Sequence, residues 1–289
     1  MKSIVKAAAA LIMVALAATL GALDWPSQTA QTVANFGGNN KGTPQLGDSF
    51  TAKGPITAVR EGELIIAVPE NNAASRLPST LGAWIALDHG DGMAGIYARV
   101  DEFDLDMVPK KIDMGTVIAN CGSTGWSEKE GFYLSFYDRK ERRWVNPSLV
   151  IPPREDTRAP FIQSVKLIGA NTSVDLASSR VIKQGRYTLN VSAYDTRLVP
   201  QESLLAPFKI ICSVNGTETG ALTFDTFSAR DGVLMVYRGA LTHAKQVYAP
   251  FPAVEAGEVH FTRGQVNLAV MVQDISGNPV NAVYKLSVE

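Results

Sequence analysis

The chain has 289 residues, 46% hydrophobic and 19% charged, enough to bury a core in each of two domains. Its 27 Lys and Arg against 28 Asp and Glu leave a net charge of −1, with none of the cationic clustering that nucleic-acid binding needs. Only 3 His and 2 Cys exclude zinc fingers, iron–sulfur clusters and disulfide-stapled mini-folds.

Residues 1–22 have the grammar of a secretory signal: Lys2 and Lys6, an apolar run from Ala7 to Leu20, then small residues. The run is short for a membrane span, and no Cys follows it to carry a lipid anchor. Cleavage after Ala22 predicts an exported protein of the periplasm or cell envelope, with no transmembrane segment in the mature chain. Residues 23–48 are polar and Gly-rich and predict an irregular lead-in.

From Phe50 onward the pattern is strands and tight turns. Ile56–Val59 and Glu63–Val68 flank Arg60-Glu61-Gly62, and Trp84–His89 and Gly95–Val100 flank Gly90-Asp91-Gly92; both predict hairpins. Val117–Cys121 and Phe132–Tyr137 flank a long turn that begins at Gly122 and ends at Gly131. Pro147 and the run Pro152-Pro153-Arg154-Glu155-Asp156 mark a linker between a domain at 49–152 and a second at 153–289. Beyond it, strands are expected at Phe161–Ile168, Tyr187–Ala193, Phe208–Val214, Val233–Tyr237, Val266–Val272 and Ala282–Val288. Turns at Asn215-Gly216, Asp231-Gly232 and Ser276-Gly277-Asn278 separate some of them. The fold class is all-β, and the second unit is expected to be an immunoglobulin-like sandwich. Cys121 and Cys212 share strand parity with apolar neighbours and so predict core positions, where free Cys acts as a small hydrophobe. Whether they are bridged stays open.

Four stretches carry a family resemblance. They are Gly54 to Leu64; Trp84 to Gly92 with Ile96-Tyr97-Ala98-Arg99-Val100; Met114 to Ala119 with Gly122-Ser123-Thr124-Gly125; and Gly131 to Phe136 with Val145-Asn146-Pro147. In this order they resemble the LytM/lysostaphin-type zinc metallopeptidases, which cut peptide cross-links in bacterial peptidoglycan. The resemblance implies an antiparallel β domain with a zinc held by His, Asp and His, and further His residues at the reacting carbonyl. Carried over by position, the H-x-x-x-D site falls on Gln45 and Ser49, the hairpin His on Arg99, and the terminal H-x-H pair on Tyr133 and Ser135. No zinc ligand and no catalytic residue is therefore expected, and no cofactor. The single His of the segment, His89, is expected at a turn or groove edge.

Strand alternation predicts that Phe132, Leu134 and Phe136 face the core while Tyr133, Ser135 and Tyr137 line the cleft, with Tyr97 and Arg99 beside them. The function expected is that of a degenerate peptidase domain that binds peptidoglycan or regulates a cell-wall hydrolase. Two alternatives stand beside it: an active zinc endopeptidase with displaced ligands, and a structural or adhesive envelope protein that binds through the sandwich.

Overall fold

The computed structural model describes residues 23–70, 79–127, 129–195 and 204–289, and the export signal expected at 1–22 lies outside the described residues. No helix among the described residues is long and apolar enough to cross a membrane. The architecture is all-β; among the described residues the helices are a 3-10 turn at Leu105–Met107 and two short α-helices at Pro147–Val150 and Ala244–Tyr248.

The first unit is organised around the strand Gly131–Asp138, which pairs antiparallel with Met93–Val100 along most of its length. The hairpin expected over 84–100 forms as Ala83–Asp88 and Met93–Val100, with the His89 N–H donating to Met93 O at 3.0 Å. Gly90 (φ 79°) and Gly92 (φ 99°) supply the left-handed backbone that this turn requires. The other expected hairpin does not form. None of Arg60, Glu61 and Gly62 has the positive φ of a tight hairpin turn. Instead Pro55–Thr57 pairs with Val117–Asn120, and Gly62–Val68 pairs with Ala83–Asp88. Ala58 and Val59 are buried in the core between the two pairings.

One core gathers Ile56, Ile85, Leu87, Tyr97, Phe132, Leu134 and Phe136, which strand alternation brings to one face. A second core lies between a four-stranded sheet (Thr172–Asp175, Phe161–Gly169, Gly185–Tyr194, Val254–Phe261) and a five-stranded one. The latter runs Val181–Ile182, Pro279–Val288, Gly264–Gln273, Lys209–Val214, Thr217–Thr223. The result is a two-sheet sandwich. Asn215-Gly216 and Asp231-Gly232 each make a two-residue turn with both φ angles positive, as their sequence predicts. Cys121 and Cys212 are free and buried in different cores, so each serves as packing.

Two expectations about organisation change. The sheet of the first unit does not stop at residue 152. Arg143–Val145 pairs with Thr226–Arg230, and Val233–Tyr237 and Leu241–His243 extend the sheet further. Nor is 23–48 an irregular lead-in: Gln31–Ala34 is a strand paired to Asp48–Thr51, and Asn39–Asn40 pairs with Thr43–Pro44. Its aromatic residues decide the outcome, because Trp25 packs in the first core and Phe36 in the second. Side-chain bonds fasten the segment further: Trp25 Nε1 donates to Pro152 O at 3.0 Å, and Tyr248 Oη donates to Gly37 O at 2.7 Å.

Candidate functional site

The site is built on the outer face of Gly131–Asp138, opposite the face that packs the first core. Register puts Tyr133 between Ser49 on one neighbouring strand and Ala98 on the other. Close approach of Asp48–Thr51 depends on Gly131, where a Cβ would lie 1.8 Å from Phe50 O. Phe132, Leu134 and Phe136 are buried on the inner face as alternation predicts.

The outer face is not an open floor. Ser135 is 2% exposed, and its Oγ donates to Leu46 O at 3.0 Å. The segment 45–47 crosses over the strand so closely that a Cβ on Gly47 would meet Tyr133 Oη at 2.7 Å and Leu134 O at 2.4 Å. Tyr133 and Ser135 thus lie beneath a cover, and burial pushes the Tyr133 hydroxyl up to about 12. The expectation that both line the cleft is corrected on this ground: alternation fixes the face, and the chain that covers the face comes from far away in sequence.

Tyr97 and Arg99 do not share a face. The pairing register slips between Ala83 and Trp84, leaving Arg99 as the extra residue of a β-bulge with φ 60°. Tyr97 therefore points into the core, fully buried, where its Oη accepts the Val59 N–H at 3.0 Å. Its placement in the cleft is corrected. Arg99 goes the other way. Its guanidinium sits 5.2 Å from the Tyr133 ring centroid, and Nη1 donates to Ser49 Oγ at 3.3 Å. Gln45 Nε2 donates to the same Ser49 oxygen at 3.1 Å. Gln45, Ser49, Arg99, Tyr133 and Ser135, spread over 91 positions of sequence, thus converge in one contiguous cluster.

His89 and Tyr137 stand apart from this cluster. The His89 ring packs against Phe136 of the inner face with centroids 6.3 Å apart, and its Nδ1 bonds Glu61 O at 2.8 Å. Gly95 makes room for it, since a Cβ there would lie 2.7 Å from His89 Nε2. Burial lowers the His89 pKa, so the ring favours its neutral form. Tyr137 packs edge-on against Trp144 at 5.1 Å, beside the junction with Thr226–Arg230.

Beside the cluster opens a cleft of about 520 Å³ whose lining includes Gln45, Ser49, Arg99, Trp126 and Lys129. Sequence reasoning missed Trp126 and Lys129. The signal was present: a Trp in a ten-residue polar, Gly-bounded turn has no core to enter, and Trp126 is 74% exposed. Among the described residues, none that lines the cleft carries a carboxylate.

Residues 45–147 match the family model described as Peptidase family M23. This segment is an M23 domain. A second family model matches residues 159–289. No curated protein matches the chain. Among solved structures, the catalytic domain of the prophage-encoded M23 protein EnpA from Enterococcus faecalis is 19% identical, over 44% of this chain and 95% of its own, with a TM-score of 0.35. A zinc-containing peptidase from Vibrio cholerae is 18% identical over 47% of this chain and 40% of its own, with a TM-score of 0.36. The antimicrobial peptidase lysostaphin from Staphylococcus simulans is 14% identical over 92% of this chain and 99% of its own, again with a TM-score of 0.36.

Zinc is the usual metal of M23 peptidases, and the residues present do not fit it. Zinc takes thiolate, imidazole or carboxylate donors, whereas Gln45, Ser49, Tyr133 and Ser135 offer an amide and hydroxyls beside the cationic Arg99. Asp48 is near but turned away, its Oδ1 accepting the Phe36 N–H at 2.8 Å. Among the described residues, one group has oxygens close enough to hold a metal: Asp156, Asp195 and Asp274, with ligand atoms within 4.8 Å of one another. It belongs to the linker and second unit, contains no His, and both Asp274 oxygens accept hydrogen bonds from Asn278 at 2.8 Å. An all-oxygen set suits hard cations rather than zinc.

Proposed function

We propose that the protein is an exported cell-envelope component whose M23 domain binds peptidoglycan peptides, or a hydrolase acting on them, without cutting them. M23 peptidases act on peptidoglycan, and the signal-like residues 1–22 support export to the envelope. One observation carries the non-catalytic reading. At the positions where the family resemblance expects His and Asp, a guanidinium, an amide and hydroxyls bond to one another and to the backbone. A water activated for attack on an amide needs either a Lewis acid or a general base near neutral pKa, and this cluster contains neither.

Sedimentation with purified peptidoglycan sacculi, paired with a dye-release assay of their hydrolysis, tests the proposal. The mature protein should co-sediment and release no soluble fragments, with or without added zinc. Failure to co-sediment, or hydrolysis abolished by a chelator, would overturn it.

A further inference from the structure

We propose that Arg99 anchors a carboxylate site in the cleft of the M23 domain, which takes a peptide bearing a free carboxylate; this rests on the peptidoglycan-binding reading above. Three observations converge on it. The first is direction. Arg99 is the bulged residue of its strand, held at φ 60°, so the backbone adopts a left-handed conformation that a non-glycine residue disfavours. The consequence is that Arg99 leaves the buried series Tyr97, Ala98, Val100 and turns toward the cleft.

The second is charge. The guanidinium is partly buried, and Nε is sealed from solvent with no hydrogen-bond partner. Its contacts are the Tyr133 ring and the neutral Ser49 hydroxyl, and no ion pair reaches it among the described residues. The acids nearest in sequence are engaged elsewhere: Asp101 Oδ1 accepts the Glu102 N–H at 2.9 Å, and Glu102 Oε2 accepts the Glu70 N–H at 3.0 Å. A partly desolvated cation with no counter-charge among the described residues is costly to keep, and an incoming anion offsets that cost.

The third is the cavity. Its volume of about 520 Å³ admits a short peptide, Lys129 adds a second cation to its lining, and Trp126 presents an exposed indole. A single planar guanidinium flanked by neutral hydroxyl and amide groups matches the two oxygens of a carboxylate. Phosphate sites, by contrast, gather backbone N–H groups at a nest or helix terminus. Trp126 and Leu204 offer the apolar surface for the rest of a peptide.

Isothermal titration of the mature full-length protein decides the matter, using acetylated Lys-D-Ala-D-Ala, its C-terminal amide, and inorganic phosphate as probes. The acid should bind at least about tenfold more tightly than the amide, the scale of one charge-assisted hydrogen bond. Arg99→Gln should erase that preference in a protein that still melts cooperatively, and phosphate should not displace the acid. Lys129→Gln, a change at the cleft edge outside the core, should weaken the acid by roughly two- to threefold, so the inference stays testable if Arg99→Gln fails to fold. Equal binding of acid and amide, binding of neither, a preference that survives Arg99→Gln, or ready displacement by phosphate would each overturn it. If the protein still co-sediments with sacculi while showing no acid preference, the carboxylate site falls and the peptidoglycan reading stands; if it does not co-sediment, that reading falls as well.

Discussion

The two faces of the strand Gly131–Asp138 obey different rules. On the inner face, Phe132, Leu134 and Phe136 are buried together with Ile85 and Leu87, and any apolar residue of similar volume would satisfy the demand. On the outer face, Tyr133 and Ser135 are almost as buried but polar, so each needs a partner of particular geometry. Ser135 finds Leu46 O, and Tyr133 carries the Arg99 guanidinium on its ring. The inner face is held by an unspecific force, the outer by specific contacts delivered from distant segments. That difference separates the residues that hold the sheet together from those that shape the candidate site.

The strongest way to break the comparison is to remove what adjoins the outer face. A fragment spanning residues 23–152 exposes the edge of Arg143–Val145 that pairs with Thr226–Arg230, and it strips Phe36 of its sandwich contacts. An uncovered edge strand invites pairing with other copies. The fragment should self-associate in size-exclusion chromatography under conditions where the whole mature protein is monodisperse; a monodisperse fragment with an unchanged melt would show that the shared sheet contributes little.

Leu134→Ala attacks the inner face directly. A fully buried Leu truncated in a packed core costs about 2–5 kcal/mol, read from chemical denaturation. A loss under about 1 kcal/mol would mean that the inner face is loosely packed. Tyr97→Phe is subtler. It deletes only the hydroxyl that accepts the buried Val59 N–H, so about 1–3 kcal/mol of stability should go while peptide binding stays constant. If binding changes and stability does not, Tyr97 belongs to the cleft after all.

Period-two alternation was enough to assign the inner face, the hairpin around Gly90 and Gly92, and most sandwich strands, because each of those is a local pattern answered by burial. The outer face was legible only in part. Alternation puts Tyr133 and Ser135 on it, but the crossing of segment 45–47 is a long-range event with no local period. The bulge at Arg99 hides for a similar reason: one extra residue inverts the parity of everything beyond it, and Arg carries none of the Gly signature that usually marks a positive φ. The strand at Gln31–Ala34 was missed because its pairing partner, Asp48–Thr51, fixes it rather than its own polar sequence. Trp126 and Lys129 lie in a turn between strands, and period-two alternation carries no signal that such a turn forms the wall of a cleft.

The smallest expected effect concerns His89. Burial lowers its folded pKa below the unfolded value near 6.5, so its contribution to stability is fully present above that value. That contribution declines as the pH falls from about 6.5 toward the lower folded pKa, because the unfolded chain then binds the extra proton. Denaturation midpoints measured between pH 7 and pH 5 should fall, and His89→Gln should flatten the slope. A slope unaltered by His89→Gln would assign the acid sensitivity to other groups.

The central claim is that the place of the zinc ligands is taken by a bonded cluster around Arg99 and Ser49. Elemental analysis of the mature protein, after incubation with excess zinc and exhaustive dialysis, tests it most directly. The account predicts far less than one zinc per chain, and no change on substituting Ser49 or Ser135 by Ala. A full equivalent of zinc that is lost in those variants would contradict it.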